Sequence, residues 1–162
     1  MVVSRAMKAR AVLVDTHAHI PPLHALDGLE TTAADRHLPG APHSIAELVA
    51  HMAFWQEWFV RRCEGRADST PASAALGWPA VAPGSWPEIH ARFVRGLESA
   101  AAMDEQGSRA VTPAIEFPPL AAYTVRDALV HIAQHNSHHL GQIVLLRQIM
   151  GLWPPPSGAW TW

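Results

Sequence analysis

The sequence of 162 residues predicts an all-α protein, a bundle of four helical segments with at least one long crossover connection. Apolar residues recur at every third or fourth position over long stretches, which is the period of an amphipathic helix. Two of these stretches begin with a capping box. Alternating apolar runs are nearly absent, and AVLV at 11–14 is the only short one. At this length the chain accommodates one domain, which we expect to span residues 1–162.

The first two segments are delimited by prolines, a cap and a glycine. Residues 2–31 predict a helix, a kink at Pro21 and Pro22, and a shorter helical piece. The second segment begins at Ser44, where S-I-A-E forms a capping box, and it ends at Gly65.

The last two segments follow long proline-bearing connections. The third helix is predicted over about 85–106, and the fourth over about 124–150, opened by the capping box T-V-R-D. The loop at 66–84 is rich in Pro, Ala, Gly and Ser, and loops this long are uncommon unless they have a function or cross a bundle. The tail at 151–162 contains three prolines, so its tryptophans are expected to lie across the bundle or a partner subunit.

Composition excludes several classes of protein. The formal net charge of −2 argues against a nucleic-acid binder, which normally has a clustered basic face. Cys63 is the only cysteine, so no internal disulfide is possible and a reducing cytoplasm is expected. The sequence shows neither a secretory signal nor an apolar stretch long enough to span a membrane.

Three histidines occupy positions where a helical core normally has leucine. The apolar stripe of the last helix consists of Ala128, Ile132, His135, His139, Ile143, Leu146 and Met150. The stripe of the second helix consists of Leu48, His51, Trp55 and Phe59. Because His135 and His139 are one turn apart, their side chains start about 6 Å from each other and can reach one ion.

The three histidines predict a metal site. A single inward histidine is more often a hydrogen-bonded core residue, but three buried imidazoles without a shared partner would leave several nitrogens to satisfy separately. Neutral imidazoles suit Zn²⁺, Ni²⁺, Cu²⁺ or Fe²⁺. Three protein ligands leave positions open for water or substrate, which is typical of a catalytic site and not of a closed structural one.

The positions of the other histidines and of the nearby amides do not by themselves assign a role in the metal site. His138 lies about 100° around the helix from His139, which indicates a residue at the rim. His131 precedes His135 by one turn and is either an outer partner of the site or a satisfied core histidine. Asn136 and Gln142 are either outer hydrogen-bond partners or ordinary surface residues.

Two stretches resemble the DinB-like (damage-inducible B) family of metal-binding four-helix bundles. They are PHSIAELVAHMAFWQEWFVRRCEG and, far downstream, HIAQHNSHHLGQIVLLRQIMG, and the resemblance extends over about 17–150. It implies an up-down-down-up bundle, often a homodimer, with one divalent ion held by three histidines that correspond to His51, His135 and His139. Relatives include S-transferases and isomerases that use the thiols bacillithiol or mycothiol, and many members without a known reaction.

Two other motifs suggest different functions, and these functions are rejected, as is a third class of metal-binding bundle. V-D-T-H-A-H-I at 14–20 resembles the H-x-H of amidohydrolase barrels, but such a barrel needs about 250 residues and eight strands. His17 and His19 are therefore expected at the rim of the bundle or on its surface. HNSHH has the ligand spacing of a metalloprotease, but Asn136 stands where the glutamate base would be. A di-iron carboxylate bundle would need E-x-x-H motifs, and the sequence has none.

The sequence thus predicts a metal-dependent enzyme acting on a small molecule, of the thiol S-transferase type that the resemblance implies. A low-molecular-weight thiol would then be a second cofactor beside Zn, Ni or Fe. No general base is evident, because Glu47 caps its helix and Glu57 lies off the stripe, and this weighs against the alternative of a metal-dependent hydrolase. A non-catalytic, metal-stabilised dimeric binding protein is the third possibility. Aromatic lining of a pocket is expected from Trp55, Trp58 or Trp78.

Overall fold

The computed structural model describes residues 8–159, and within that range it contains α-helices and no strand. The helices are α1 (Ala9–Leu13), α2 (Pro22–Leu26), α3 (Thr31–Ala34), α4 (Ile45–Cys63), α5 (Trp86–Ala101) and α6 (Val125–Ile149). Short 3₁₀ turns lie at Ala74–Gly77, Asp104–Gln106 and Pro118–Leu120. The predicted all-α class is confirmed. No described helix combines the length and the apolar character that a membrane span needs.

Both predicted capping boxes are present and fix the starts of α4 and α6. The Ser44 hydroxyl accepts from the Glu47 amide at 3.3 Å, and the Glu47 carboxylate accepts from the Ser44 amide at 2.9 Å. Thr124 and Asp127 make the same reciprocal pair. Each box satisfies two backbone donors that a helix start would otherwise leave without partners. The registers of the two histidine-bearing helices are therefore set at their first turns.

The prediction of a long first helix is wrong within the described residues. After α1 ends at Leu13 the chain is not helical until Pro22, and the predicted part at 2–7 lies outside the described range. Pro21 and Pro22 lack the amide donors that a helix needs, and proline disfavours helical geometry in the residue before it. Pro22 instead begins α2, where a missing donor has no cost.

The third helix ends five residues earlier than predicted, at Ala101. Beyond it the chain forms the 3₁₀ turn Asp104–Gln106. The carboxylate of Asp104 accepts from the backbone amide of Ala9 at 2.9 Å and pairs with Arg126 at 3.3 Å. These contacts with α1 and α6 stabilise the turn in place of another helical turn, and periodicity along the chain cannot reveal them.

Four helices surround the core. α4 packs against α5 and α6, and the short α1 packs against both α5 and α6, so α1 occupies the fourth position of the bundle. At the contact of α4 with α5, Gly96 allows close approach, since a Cβ atom there would lie 2.6 Å from Nε2 of Gln56. Buried side chains from all four helices form one apolar cluster, which includes Leu13, Phe59, Phe93 and Ile143.

Two buried amides connect the three long helices through this core. Gln56 on α4 donates to the carbonyl of Phe93 on α5 at 3.1 Å and accepts from the Asn136 amide on α6 at 2.7 Å. Both side chains are buried. Asn136 is thus not an outer partner of the histidine site, and it instead holds α6 against α4 beside His135.

The tail after α6 packs against the start of the chain. Arg147 is 2% exposed and donates to the carbonyls of Ala25, Asp27 and Leu152 at 2.7, 2.9 and 3.0 Å. Trp153 packs against the core, in agreement with the expectation for the tail. The two remaining tail tryptophans, Trp160 and Trp162, lie outside the described residues.

Candidate metal centre

The fold brings the three predicted histidines together. His51 comes from α4, and His135 and His139 come from adjacent turns of α6. One ring nitrogen from each lies within 4.8 Å of the other two. The Nε2 atoms of His51 and His135 are 3.1 Å apart. His51 and His139 are each 6% exposed, so the group lies at the edge of the core.

Outer hydrogen bonds select the nitrogen that each of two histidines presents. His51 Nδ1 lies 2.6 Å from the carbonyl oxygen of Gly77, and His139 Nδ1 lies 2.8 Å from Oε1 of Gln142. Because an oxygen of this kind only accepts, each Nδ1 carries the proton and each Nε2 presents a lone pair. Hydrogen bonds of this type orient and strengthen imidazole ligands in metal sites.

The donor set fits a divalent transition metal. Two nitrogens bound tetrahedrally at about 2.0–2.1 Å from one ion would lie about 3.3 Å from each other. The observed separation of the His51 and His135 Nε2 atoms is 3.1 Å, so this pair needs little movement. The ligand nitrogens of all three residues lie within 4.8 Å of one another, so an adjustment of side chains would bring His139 to the same ion. Three neutral imidazoles can therefore hold one ion here, and among the described residues no cysteine or carboxylate belongs to the group.

The site keeps its histidines neutral. Burial lowers the pKa of His51 to about 4, against the raising effect of its hydrogen bond to Gly77. Burial is the main cause that lowers the pKa of His135 to about 3, and the neighbouring histidines lower it further. Burial also lowers the pKa of His139. At neutral pH all three rings are uncharged, each with one nitrogen free of a proton, which is the form that binds metal.

These shifts predict that the metal-free protein loses stability in mild acid. An ordinary histidine of the unfolded chain takes up a proton near pH 6.5, while His51 and His135 in the fold do not until about pH 4 and 3. The unfolded state then binds more protons, so the free energy of unfolding should fall between pH 6.5 and 4, by up to about 1.4 kcal/mol per pH unit for each of the two rings. Urea unfolding of chelator-treated protein at pH 7 and 5 measures this. His51→Leu should reduce the slope, and an unchanged slope would contradict the assignment.

The loop at 66–84 completes the surroundings of the site. It supplies the Gly77 carbonyl and also Trp78, whose ring stacks on His51 with centroids 3.8 Å apart. The opposite face of Trp78 stacks on His43 at the same distance. The length of this loop predicted either a function or a crossover of the bundle, and Trp78 was expected only as one of three tryptophans lining a pocket. The paired stack on two histidines could not be predicted.

A cavity of about 640 Å³ lies beside the triad and contacts it at His139. One wall is the segment 38–42, and α6 forms the opposite wall from His138 to Ile149. The polar side chains of the lining are His43, His138, His139 and Gln142. The larger aliphatic ones are Leu38, Leu48, Leu145, Leu146 and Ile149. Of the three tryptophans expected in a pocket, only Trp78 lines this one.

The four other histidines that the sequence analysis considered do not belong to the triad, although the His138 ring packs edge-on against His139 with centroids 4.9 Å apart. His138 is exposed at the edge of the cavity, as expected for a rim residue. His131 Nδ1 lies 3.0 Å from the Tyr123 hydroxyl, so it is a satisfied core histidine and not an outer partner of the site. His17 is exposed. His19 connects the non-helical segment to α6 through the Ser137 hydroxyl at 2.8 Å.

The two glutamates of α4 have structural partners. Glu57 forms a two-pronged ion pair with Arg92 at 2.8 and 3.0 Å. Glu47 caps the helix and also lies 3.3 Å from His37 and 3.7 Å from His43. Neither carboxylate lines the cavity. His43 does line it, so a potential proton acceptor is present that the sequence did not reveal.

Gln142→Leu should weaken metal binding without loss of the fold. The variant removes the acceptor that fixes His139 Nδ1, and loss of such an outer partner typically costs 10- to 100-fold in metal affinity. Gln142 is exposed, so the free energy of unfolding of the metal-free protein should stay within about 0.5 kcal/mol. Titration against a chromophoric chelator gives the affinity. Gln148→Leu, at another exposed glutamine of α6, is the matched control and should bind the ion like wild type.

Comparison with known proteins agrees with this geometry. The family model of the DinB superfamily matches residues 23–143, which is most of the chain. That range contains most of α2, all of α3 to α5, the whole triad and most of α6. A search of curated proteins found no match. The chain belongs to the DinB superfamily, an all-α bundle fold.

Proposed function

We propose that the protein is a metal-dependent enzyme that acts on a small molecule, with one divalent ion bound by His51, His135 and His139. The observation that supports this most is the convergence of three imidazole nitrogens beside a cavity, with two of the rings fixed by outer hydrogen bonds. Three protein ligands leave room for a water or substrate atom on the ion. A purely structural site would instead be closed by a fourth ligand.

Thiol transfer is the reaction that we favour. A divalent ion would lower the pKa of a bound thiol, so that a low-molecular-weight thiol could attack an electrophile near neutral pH. The chain would contribute orientation and exclusion of water. Gly77 and Gln142 hold two rings in place, and the apolar lining provides a binding surface for the electrophile. This reaction requires no general base from the protein, because the thiol, once the ion has lowered its pKa, would release its proton to water and attack as the thiolate. A group displaced from the electrophile would depart with the electron pair of the broken bond.

His43 favours a hydrolase as the second candidate. Its ring lines the cavity, is held against Trp78, and has Nδ1 3.7 Å from the Glu47 carboxylate. A histidine beside a carboxylate can accept a proton from a water that attacks a substrate. Two stacking steps of 3.8 Å each separate its ring from His51, so it lies close to the triad without belonging to it.

Metal analysis and activity screens on tag-free protein test these proposals. A stoichiometric ion is expected after purification without a nickel column, and a chain that takes up no zinc, nickel or iron in dialysis would contradict the metal site. Conjugation of electrophiles with glutathione, bacillithiol and mycothiol should depend on the ion. Ester and amide hydrolysis that is lost in His43→Gln would favour the hydrolase. Uniform inactivity with the ion bound would favour a non-catalytic binding protein.

A further inference from the structure

We propose that the cavity beside the triad binds an uncharged, elongated aliphatic substrate, with its polar end at His139 and its chain extending along α6 towards Ile149. This inference names the substrate class of the proposed metal-dependent enzyme. The role given to the polar end of the substrate rests on that proposed function. The preference for an uncharged aliphatic chain rests on the cavity alone, so the two can be tested separately.

The lining contains no lysine, arginine, aspartate or glutamate among its fourteen residues. A charged ligand would lose hydration on entering and would find no formal counter-charge there, which is unfavourable. Ligands with several carboxylates or phosphates therefore fit poorly. In the thiol-transfer reaction this assigns the cavity to the electrophile and not to the body of a polar thiol.

Polar and apolar groups are separated along the α6 wall. His138, His139 and Gln142 lie at the end near the triad, while Leu145, Leu146 and Ile149 lie one to three turns further along. The ten residue steps from His139 to Ile149 span about 15 Å at the helical rise of 1.5 Å per residue. A ligand with one polar end and a long apolar body matches this gradient.

Trp78 makes an aliphatic body a better fit than an aromatic one. It contributes the only indole, phenyl or phenol ring of the lining, and its two faces are covered by His43 and His51. Only the edge of the indole remains for a ligand. An aromatic substrate would therefore gain no face-to-face stacking on the indole, whereas methylene groups pack well against leucine and isoleucine.

The outer end of the cavity exposes apolar surface that a chain would cover. Leu145 is 56% exposed and Ile149 is 64% exposed, although both line the cavity. Burial of their surface by methylene groups is favourable, at about a fourfold gain in affinity for each buried CH₂. The affinity of a suitable ligand should therefore rise with chain length until the chain passes Ile149.

A series of alkanohydroxamic acids is the probe that tests this inference. The hydroxamate binds metal and is largely uncharged when free at neutral pH. With zinc-loaded protein, calorimetry from four to ten carbons should show the dissociation constant falling by about threefold to fourfold per added CH₂. An eight-carbon compound that ends in a carboxylate should bind at least tenfold more weakly than its methyl-ended counterpart.

Two matched variants test whether the aliphatic chain of the ligand lies along α6. Leu145→Glu should weaken the eight-carbon compound about tenfold and leave acetohydroxamic acid unchanged. Val130→Glu is the control, because Val130 is 42% exposed on the same helix and does not line the cavity. Both sites are exposed, so neither variant should unfold.

The outcomes separate the inference from the proposed function. Absence of chain-length dependence, or equal binding of the carboxylate-ended compound, overturns the inference even when the ion is bound. A protein that binds no ion but still binds alkanols with the same length dependence retains the inference and loses the proposed function. Alkanol binding that weakens as protein concentration rises would show that a second copy fills the cavity, and this also overturns the inference.

Discussion

Replacement of His135 by alanine should lower the affinity for the divalent ion by about a hundredfold or more. Zinc sites with four protein ligands are bound with about 10–16 kcal/mol, so one ligand contributes about 3 kcal/mol, which corresponds to a factor of this size. His135 Nε2 lies 3.1 Å from His51 Nε2, so its loss removes one side of the site. Competition with a chromophoric chelator, with tag-free protein, measures the affinity.

His24→Ala is the control for this loss. It removes an exposed histidine of α2 that lies outside the cavity lining and leaves the triad complete. We expect wild-type affinity from it, and equal helix content by circular dichroism in both variants. A His135→Ala protein that retained a stoichiometric, tightly bound ion would contradict the proposed site, and equal losses in both variants would indicate weak surface binding.

The features that the sequence predicted correctly are those encoded by periodicity and local hydrogen bonding. His135 and His139 are one turn apart, so any helix of the right register places both on the inner face. Ser44 and Thr124 determine where the two long helices begin, because their caps involve only residues three positions away. His51 was grouped with the other two because it lies on the core stripe of another helix, the resemblance to a known family implied the same set, and the packing of α4 against α6 agrees with both.

The features that could not be predicted come from irregular backbone. A carbonyl is present at every residue, so nothing in the sequence marks that of Gly77 as the partner of His51. The structure gives the reason for its position, since a Cβ atom at Gly77 would lie 2.7 Å from Nε1 of Trp55. Glycine thus lets the loop approach α4 closely. The stack of His43, Trp78 and His51 likewise joins three parts of the chain that no local pattern relates.

The prediction of a long helix in the first segment was wrong for a related reason. Its apolar residues have helical spacing, but several of them are buried without a helix, including Val14 and Ile20 in the non-helical stretch between α1 and α2. His19 supports that stretch through its bond to Ser137 on α6. Contacts with the rest of the fold therefore outweigh the local preference for a helix. Pro21 and Pro22 also disfavour a continuous helix there.

Arg147→Met should strongly destabilise the fold, because Arg147 is a buried donor that joins three segments of the chain. The guanidinium is almost fully buried and is the shared donor to the backbone of Ala25, Asp27 and Leu152. Methionine fills similar space but leaves these acceptors without their charged donor, and each hydrogen bond to a charged group contributes about 1.5–3 kcal/mol. The cost of burying the guanidinium offsets part of this, so we expect a net loss of about 3 kcal/mol.

Urea unfolding and thermal melting of the metal-free protein measure this loss. A decrease of about 3 kcal/mol corresponds to roughly 6–12 °C in Tm for a chain of this size. Arg95→Met, at an exposed arginine of α5, is the control and should change the free energy of unfolding by less than about 0.5 kcal/mol. Arg147 joins the end of α6 to α2 and to the tail, while His135 and His139 lie on earlier turns of α6 and His51 lies on α4. Saturating zinc should therefore stabilise Arg147→Met and wild type by equal amounts, because an ion that binds only the folded state adds the same free energy to both when its affinity is unchanged. A smaller gain in the variant would show that the triad depends on the Arg147 contacts.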